Sequence, residues 1–262
     1  MSRPQSLCNH HLFLDLVGPD STVLDLGAYE GEFAREISQR TQAQVVAVEA
    51  NPFMYEKMYT SERVTGLNLA VGDCEGRLRL FVGSNPLGSS VYSTHPYSDS
   101  DTIEVSATTL ARLISDHCGG HVDLLKINIE GAEIPMLAAA ADEVLQGISQ
   151  ITIQFHDFIP ELNQAADVRE AKARLQGLGF GEILFKSPNK DVLFVNLRTG
   201  VLGRGRFGAE KVLVRLRQYL RAVQKKLGQT RGLASTGPRR VSGGGSMSLA
   251  QARHAASDRI GV

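Results

Sequence analysis

The sequence predicts an α/β fold, a mostly parallel seven-stranded sheet with helices on both faces and an antiparallel hairpin at one edge. Three observations predict it. Residues 22–49 read as a buried strand, a glycine-marked turn, a helix and a second buried strand, which is a βαβ unit. Short apolar runs of strand type alternate with helical patterns through most of the first 197 residues, as crossover helices on a parallel sheet require. Two alternating segments around Ser187-Pro188-Asn189-Lys190 then read as a closing hairpin, which supplies the antiparallel edge.

The elements follow in order. A helix is expected over about residues 10–17, then a strand over 22–26, a helix over 32–40 and a strand over 44–49. Pro52 suits the first turn of the next helix, which runs to about residue 61. A third strand is expected over 65–71, then a turn at Asp73-Cys74-Glu75-Gly76 and an alternating segment over 77–82 that reads as its hairpin partner. Residues 83–101 form a loop rich in Ser, Gly, Asn and Pro, and a loop of that length is functional or disordered. A short strand over 103–106 leads to a helix capped by Thr108 or Thr109 and running to about 117. Residues 122–129 are a buried strand and 134–145 a helix. Residues 150–155 are another buried strand, ending at His156-Asp157. A helix over 166–178, ended by Gly177 and Gly179, precedes the hairpin strands 180–185 and 192–197.

The chain of 262 residues, 42% apolar, accommodates one such domain of about 200 residues and an appendage. No apolar run approaches the roughly 18 residues of a membrane span, and the start does not read as a secretory signal. Cys8, Cys74 and Cys118 are odd in number and widely spaced. They fit reduced thiols of a cytoplasmic protein rather than a disulfide framework or a zinc knuckle. The net charge of zero hides an asymmetry: residues 198–262 hold fourteen Lys or Arg and two acids, so the remainder is as acidic as the tail is basic. Within the tail, Val212, Leu216, Tyr219, Leu220, Val223 and Leu227 fall on one helical stripe, with Lys211, Arg215, Arg217, Arg221, Lys225 and Lys226 over much of the rest. Domain boundaries are therefore expected at 1–198, 199–228 for a basic amphipathic helix, and 229–262 for a disordered Gly-, Ser- and Arg-rich tail. The basic helix lies on an anionic membrane surface, binds an acidic partner or nucleic acid, or docks on the acidic body. The continuous stripe favours the membrane surface, and a peripheral position there. The lone Tyr219 disfavours nucleic acid.

The chemistry concentrates at the strand ends. Asp25-Leu26-Gly27-Ala28-Tyr29-Glu30-Gly31 closes the first strand and Val48-Glu49 the second, an arrangement that holds a nucleoside-like ligand above the sheet. The spacing Gly27-x-x-x-Gly31 is not the Gly-x-Gly-x-x-Gly of a dinucleotide site. Glu30 and Glu32 in the turn would repel phosphates but not a sulfonium, which points to S-adenosylmethionine. Asp25 can serve the ligand's ammonium, directly or through water, Gly27 lets it pass close to the backbone, and Glu49 can accept both ribose hydroxyls.

With these blocks in order, the sequence resembles the FkbM-type methyltransferase family. The resemblance covers about residues 22–197 and rests on Asp25-Leu26-Gly27-Ala28 with Gly31, on Val48-Glu49-Ala50-Asn51-Pro52, and on Asn68-Leu69-Ala70-Val71-Gly72-Asp73. Further blocks are Ser89-Ser90, Thr109-Leu110, Asp123-Leu124-Leu125-Lys126-Ile127 with Glu130-Gly131-Ala132-Glu133, and His156. It implies a Rossmann-like class I fold and an S-adenosylmethionine-dependent O-methyltransferase acting on a hydroxyl of a sugar, glycan or glycosylated small molecule. It places Asp73 at the adenine, and the candidate cofactor set becomes Asp25, Gly27, Tyr29, Gly31, Glu49, Asn51, Asp73 and Asn128. The chain departs from the family at Tyr29 (usually Asn), Ala111 and Asn128 (usually Asp) and Gln154 (often Glu). Three of these exchanges remove a carboxylate. They motivate the alternative of a non-catalytic module that binds the cofactor or a partner, and they argue against a metal.

Methylating an alcohol requires positioning and a base. Glu130 and His156, just past the ends of neighbouring buried strands, are the candidates; His156 near its ordinary pKa is suited to the task, whereas Glu130 needs burial to raise its pKa. The alternatives are a histidine that hydrogen-bonds a loop, and, for Glu130 and Glu133, helix N-terminal acids that complement the dipole. Lys126, inside a buried-type strand, must find a partner. It either orients the acceptor or pairs with a carboxylate such as Glu130. Tyr92, His95, Pro96 and Tyr97 in the long loop line the acceptor site or belong to a lid.

Overall fold

The computed structural model describes residues 3–82, 90 and 101–234, with side chains to residue 224. The readings made on Tyr92, His95, Pro96 and Tyr97, and on residues 235–262, lie outside the described residues. The chain enters through a two-stranded antiparallel ribbon, β1 (Gln5–Leu7) and β2 (His10–Leu12). The βαβ unit follows as β3 (Thr22–Leu26), α1 (Glu32–Thr41) and β4 (Gln44–Glu49), then α2 (Pro52–Tyr55) and β5 (Val64–Asn68). A separate sheet interrupts, built from β6 (Ala70–Gly72), β7 (Gly76–Phe81) and β8 (Thr102–Thr109). The alternation resumes with α3 (Leu110–His117), β9 (Val122–Ile127), α4 (Glu133–Ala139), α5 (Asp142–Gln146) and β10 (Ile148–Ile153). The last elements are α6 (Ala165–Gly177), β11 (Phe180–Lys186), β12 (Asp191–Asn196) and α7 (Arg204–Ala234).

The main sheet has seven strands in the order β11-β12-β10-β9-β3-β4-β5. Only β12 runs antiparallel to its neighbours. The strand order reverses between β3 and β9, so a crevice opens beyond their carboxyl ends, where ligands bind in such sheets. Period-two alternation divides the core. Leu24, Leu26, Val46 and Val48 pack with α3, α4 and α6 on one face, and Val23, Val45, Ala47 and Leu124 pack with α1 and the entry ribbon on the other. Asp25 and Lys126 share the parity of this second face.

Several expected elements are redrawn. The helix over 10–17 is instead strand β2 and a 3-10 turn over Leu14–Leu16. His10 is buried while His11 faces Asp191, an alternation of period two rather than 3.6. α2 stops at Tyr55 rather than near 61, because the chain turns to place Tyr59 N on the Glu30 carbonyl at 2.9 Å. The strand over 65–71 breaks at Leu69: the Asn68 amide grips the carbonyls of Glu49 and Ala50, and β6 leaves for the small sheet. There β7 pairs with β8, not with the strand before it. The helix over 134–145 is two, separated by extended Ala140. Thr109, by contrast, caps α3 as expected, accepting from Arg112 N.

The chain divides into two units, Met1–Leu216 and Arg217–Val262, so the first unit extends past the expected boundary at 198. In the first unit Leu202, Phe207 and Val214 are buried with Phe13, Ile183 and Val195. Phe207 fits because Gly181 is beneath it, where a Cβ would meet the ring at 2.4 Å. The expected apolar stripe does not face this core: Val212 and Leu216 are exposed. In the second unit Tyr219 and Leu220 are exposed. Helix α7 continues to Ala234, beyond the expected end at 228. Among the described residues, no helix is long and apolar enough to cross a membrane.

Candidate active site

The crevice holds a hollow of about 300 Å³. Its floor comes from the turn after β3 (Gly27, Tyr29), the end of β4 (Val48, Glu49, Ala50) and the segment after β9 (Asn128, Ile129, Glu130, Ala132). The small sheet closes it with Ala70, Val71 and Leu80, beside Leu69. Gly27 is indispensable to this shape: at φ +73°, a Cβ there would lie 1.8 Å from the Asn128 carbonyl oxygen.

At the β4 end stands Glu49. Its two oxygens each accept one main-chain N–H, Oε2 from Tyr29 at 2.8 Å and Oε1 from Asn51 at 2.9 Å. Burial raises its pKa above the ordinary value, and the two amides work against that rise. A carboxylate offers about four lone-pair sites, so acceptor capacity remains on both oxygens. The adjacent Asn51 is buried and its Oδ1 accepts from Phe53 N, capping α2. Asn51 therefore shapes the turn and does not line the hollow. Gly31 is the N-cap of α1 at φ +80° and lies in a neighbouring depression with Glu30, Arg35 and Tyr59.

Beneath the turn lies a buried ion pair. Asp25 and Lys126 are direct register partners on β3 and β9, and Lys126 Nζ stands 2.9 Å from Asp25 Oδ1. The same ammonium donates to the Gly27 carbonyl at 2.8 Å and contacts that of Leu26 at 3.3 Å. Neither Asp25 oxygen has an aligned hydrogen-bond donor among the described residues, so the contact is an ion pair rather than a hydrogen bond. His10, whose pKa burial and the nearby Lys126 hold well below its ordinary value, completes this interior with Phe33. Asp25 is fully buried on the α1 face and does not line the hollow, so it has no direct contact with that space. Lys126 pairs with a carboxylate, one of its two expected roles, but the carboxylate is Asp25 rather than Glu130. Asp73, expected at the adenine, is exposed and outside the hollow, because β6 carries it away into the small sheet.

At the β9 end, Glu130 lines the hollow from a left-handed backbone, φ +51°. His156, buried, sits between two carboxylates: Nδ1 is 2.8 Å from Glu133 Oε1 and Nε2 is 3.4 Å from Glu130 Oε2. Burial by itself would push the ring's pKa down, but Glu133 and Glu130 together raise it to about 10. The two carboxylates thus favour the doubly protonated ring. A ring held that way is poorly suited to take a proton from an acceptor, unlike a ring at its ordinary pKa.

Glu133 is fully buried and accepts three donors, Ile129 N at 3.0 Å, Gly131 N at 3.0 Å and His156 Nδ1. It thus does more than complement a helix dipole. Ser90 Oγ donates to the Glu130 carbonyl at 2.7 Å, and Gln164 Nε2 to that of Gly131 at 2.8 Å. Sequence reasoning missed Gln164 entirely. Its only signal is a polar residue ahead of an amphipathic helix, which says nothing of a partner 33 residues away. Asn128 lines the hollow, and its Oδ1 is buried with no hydrogen-bond partner among the described residues. An orphaned buried acceptor at a cavity wall calls for a donor from a ligand. Among the described residues, no cluster of three or more His, Cys, Asp or Glu is arranged to hold a metal. The structure therefore gathers Gly27, Tyr29, Glu49, Asn128 and Glu130 at one hollow, with His156 directly behind Glu130.

A family model described as the methyltransferase FkbM domain matches residues 25–181, more than half of the chain. No curated protein matches the sequence. Among solved structures, the chain is similar to an FkbM methyltransferase from Methylobacillus flagellatus, with 13% identity over 68% of this chain and 44% of that one and a TM-score of 0.44. It spans less than half the length of that protein. It is also similar to precorrin-6y C5,15-methyltransferase from Geobacter metallireducens (13% identity, 70% and 82% covered, TM-score 0.38). A third similar structure is M. capricolum TrmK in complex with S-adenosyl-homocysteine (9% identity, 70% and 65% covered, TM-score 0.39). The family match over more than half of the chain carries the conclusion: the chain belongs to the methyltransferase FkbM domain family.

Proposed function

We propose that the hollow binds S-adenosylmethionine and that the protein transfers its methyl group to a hydroxyl of a sugar, glycan or glycosylated small molecule. The observation that carries this reading is Glu49, a carboxylate fixed by one main-chain amide on each oxygen at the wall of the crevice. Both oxygens keep capacity for a pair of ribose hydroxyls. The orphaned Oδ1 of Asn128 suits an ammonium donor, and Val48, Val71 and Leu80 offer an apolar wall to a flat base. S-adenosylmethionine, when bound, supplies a methyl group activated by a sulfonium. The chain's part is to hold the donor, exclude water and align the acceptor oxygen with the methyl carbon. The acceptor class is supported by the family alone.

The test is calorimetric titration with S-adenosylmethionine, followed by transfer of a labelled methyl group to a panel of methyl glycosides and glycolipids. Binding with transfer to a glycoside hydroxyl supports the reading, and no binding removes it. Binding without transfer favours a second reading, a non-catalytic module. The observation on that side is the commitment of Lys126 and His156 to internal carboxylates.

For the basic helix the reading is contact with anionic lipid. Val212 and Leu216 in the first unit, and Tyr219 and Leu220 in the second, are exposed among Arg215, Arg217 and Arg221, a composition suited to an interfacial helix. Leu220→Glu should reduce co-sedimentation with phosphatidylserine vesicles. Undiminished co-sedimentation counts against lipid contact at this helix.

A further inference from the structure

From the geometry we infer that Glu130 is the proton acceptor of the methylation, and that Glu133 and His156 are positioning residues that hold it there. The inference rests on the reading of the hollow given above.

Three constraints meet on Glu130. Its backbone is left-handed at φ +51°, a conformation that a residue with a side chain adopts only when its surroundings impose it. The flanking amides, Ile129 N and Gly131 N, are both captured by the buried carboxylate of Glu133, and the Glu130 carbonyl accepts from Ser90. The Glu130 carboxylate is approached from behind by His156 Nε2, while the other ring nitrogen is fixed by Glu133. One buried acid thus fixes both the main chain of Glu130 and the cation that faces its side chain. Such an arrangement is wasted on a surface acid. Glu130 instead lines the same hollow as Glu49, from the β9 side, and its side chain keeps 22% of its exposure, enough to return a proton to solvent.

The proton balance is simple. The acceptor's O–H bond breaks and its proton passes to the Glu130 carboxylate. The oxygen keeps the electron pair with which it bonds to the methyl carbon, and the electron pair of the broken carbon–sulfur bond stays on sulfur. Glu130 then gives the proton to water. His156 gives and takes no proton in this cycle. It supplies positive charge between two acids, and a neutral donor of similar shape does not replace that.

The test uses the full chain, labelled S-adenosylmethionine and methyl glycosides as acceptor probes. E130Q should bind S-adenosylmethionine within about twofold of the wild type and transfer about 100-fold more slowly, the low end of general-base contributions. His156→Asn keeps a hydrogen-bond donor without the charge. It should lower kcat while leaving the S-adenosylmethionine Kd in place, and His156→Lys should restore part of the loss. Transfer by E130Q at the wild-type rate overturns the inference. A wild type that binds no S-adenosylmethionine overturns the underlying reading instead. Nitrogen-15 NMR of the His156 ring at pH 8 needs no acceptor: both nitrogens should be protonated, and a neutral ring overturns the inference whatever the probes show.

Discussion

Glu49, at the end of β4, and Glu130, after β9, line one hollow and are held by different means. Glu49 is fixed by main-chain amides of two tight turns, Tyr29 and Asn51. Glu130 is fixed by side chains drawn from three other places in the chain, Ser90, Glu133 and His156. Backbone amides hold a carboxylate whatever residue supplies them, so the Glu49 end depends on turn shape. The Glu130 end depends on particular side chains and on their charges. The first arrangement suits a ligand part common to a whole enzyme family; the second suits the part where reactions and acceptors differ.

Substitutions separate the two ends, beginning with the largest effect. Glu133→Ala removes the partner of a buried imidazolium and of two main-chain amides. It should destabilise the fold by about 3–5 kcal/mol, as when one member of a buried pair is lost, read as a lowered urea midpoint. Glu49→Ala should cost far less stability, because it leaves no buried charge unpaired. It should weaken S-adenosylmethionine binding by about 1.5–3 kcal/mol, read by calorimetry. If both variants lose stability equally, the contrast between the ends is wrong.

The pH dependence also differs between regions. His156 has a folded-state pKa of about 10 against an ordinary 6.5. Between those values the folded state binds more protons than the unfolded one, so stability falls as pH rises. Its contribution is full below about pH 6.5 and is lost as pH passes through 10. His10 has the opposite sign: its lowered pKa means that the unfolded chain gains the proton first, and stability drops as pH falls below about 6.5. Denaturation midpoints measured from pH 5 to 10.5 should thus decline at both ends. His156→Asn should flatten the curve between about pH 6.5 and 9 and leave the acid decline; the fall above pH 9 persists, because burial pushes the Cys8 and Cys118 thiols up to about 11.

The smallest expected effect belongs to Asp73. It is exposed and outside the hollow, so Asp73→Ala should change S-adenosylmethionine affinity by no more than about 0.5 kcal/mol, as for other surface changes. A tenfold loss by calorimetry would place it back at the ligand.

The frame of the fold was legible because its signals are local. β3 and β4 lie where their apolar runs end, and Gly27 and Glu49 follow from the motif between them. Four departures share one cause: each depends on contacts distant in sequence. The pairing of Asp25 with Lys126 spans 101 residues and needs the strand register. The raised pKa of His156 needs Glu133 within 2.8 Å, whereas the ordinary pKa invites a base. The break at Leu69 comes from the grip of Asn68 on the end of β4. In α7 an apolar stripe was visible, but the core chose another face through Phe207 and the space above Gly181.

The proposal that Glu49 holds S-adenosylmethionine in the crevice between β3, β4 and β9 is best tested by isothermal titration of S-adenosylmethionine into the wild type and Glu49→Ala. Saturable binding to the wild type at one site and a Kd at least tenfold weaker in the variant are expected. Equal dissociation constants, or a wild type that does not bind, would contradict it.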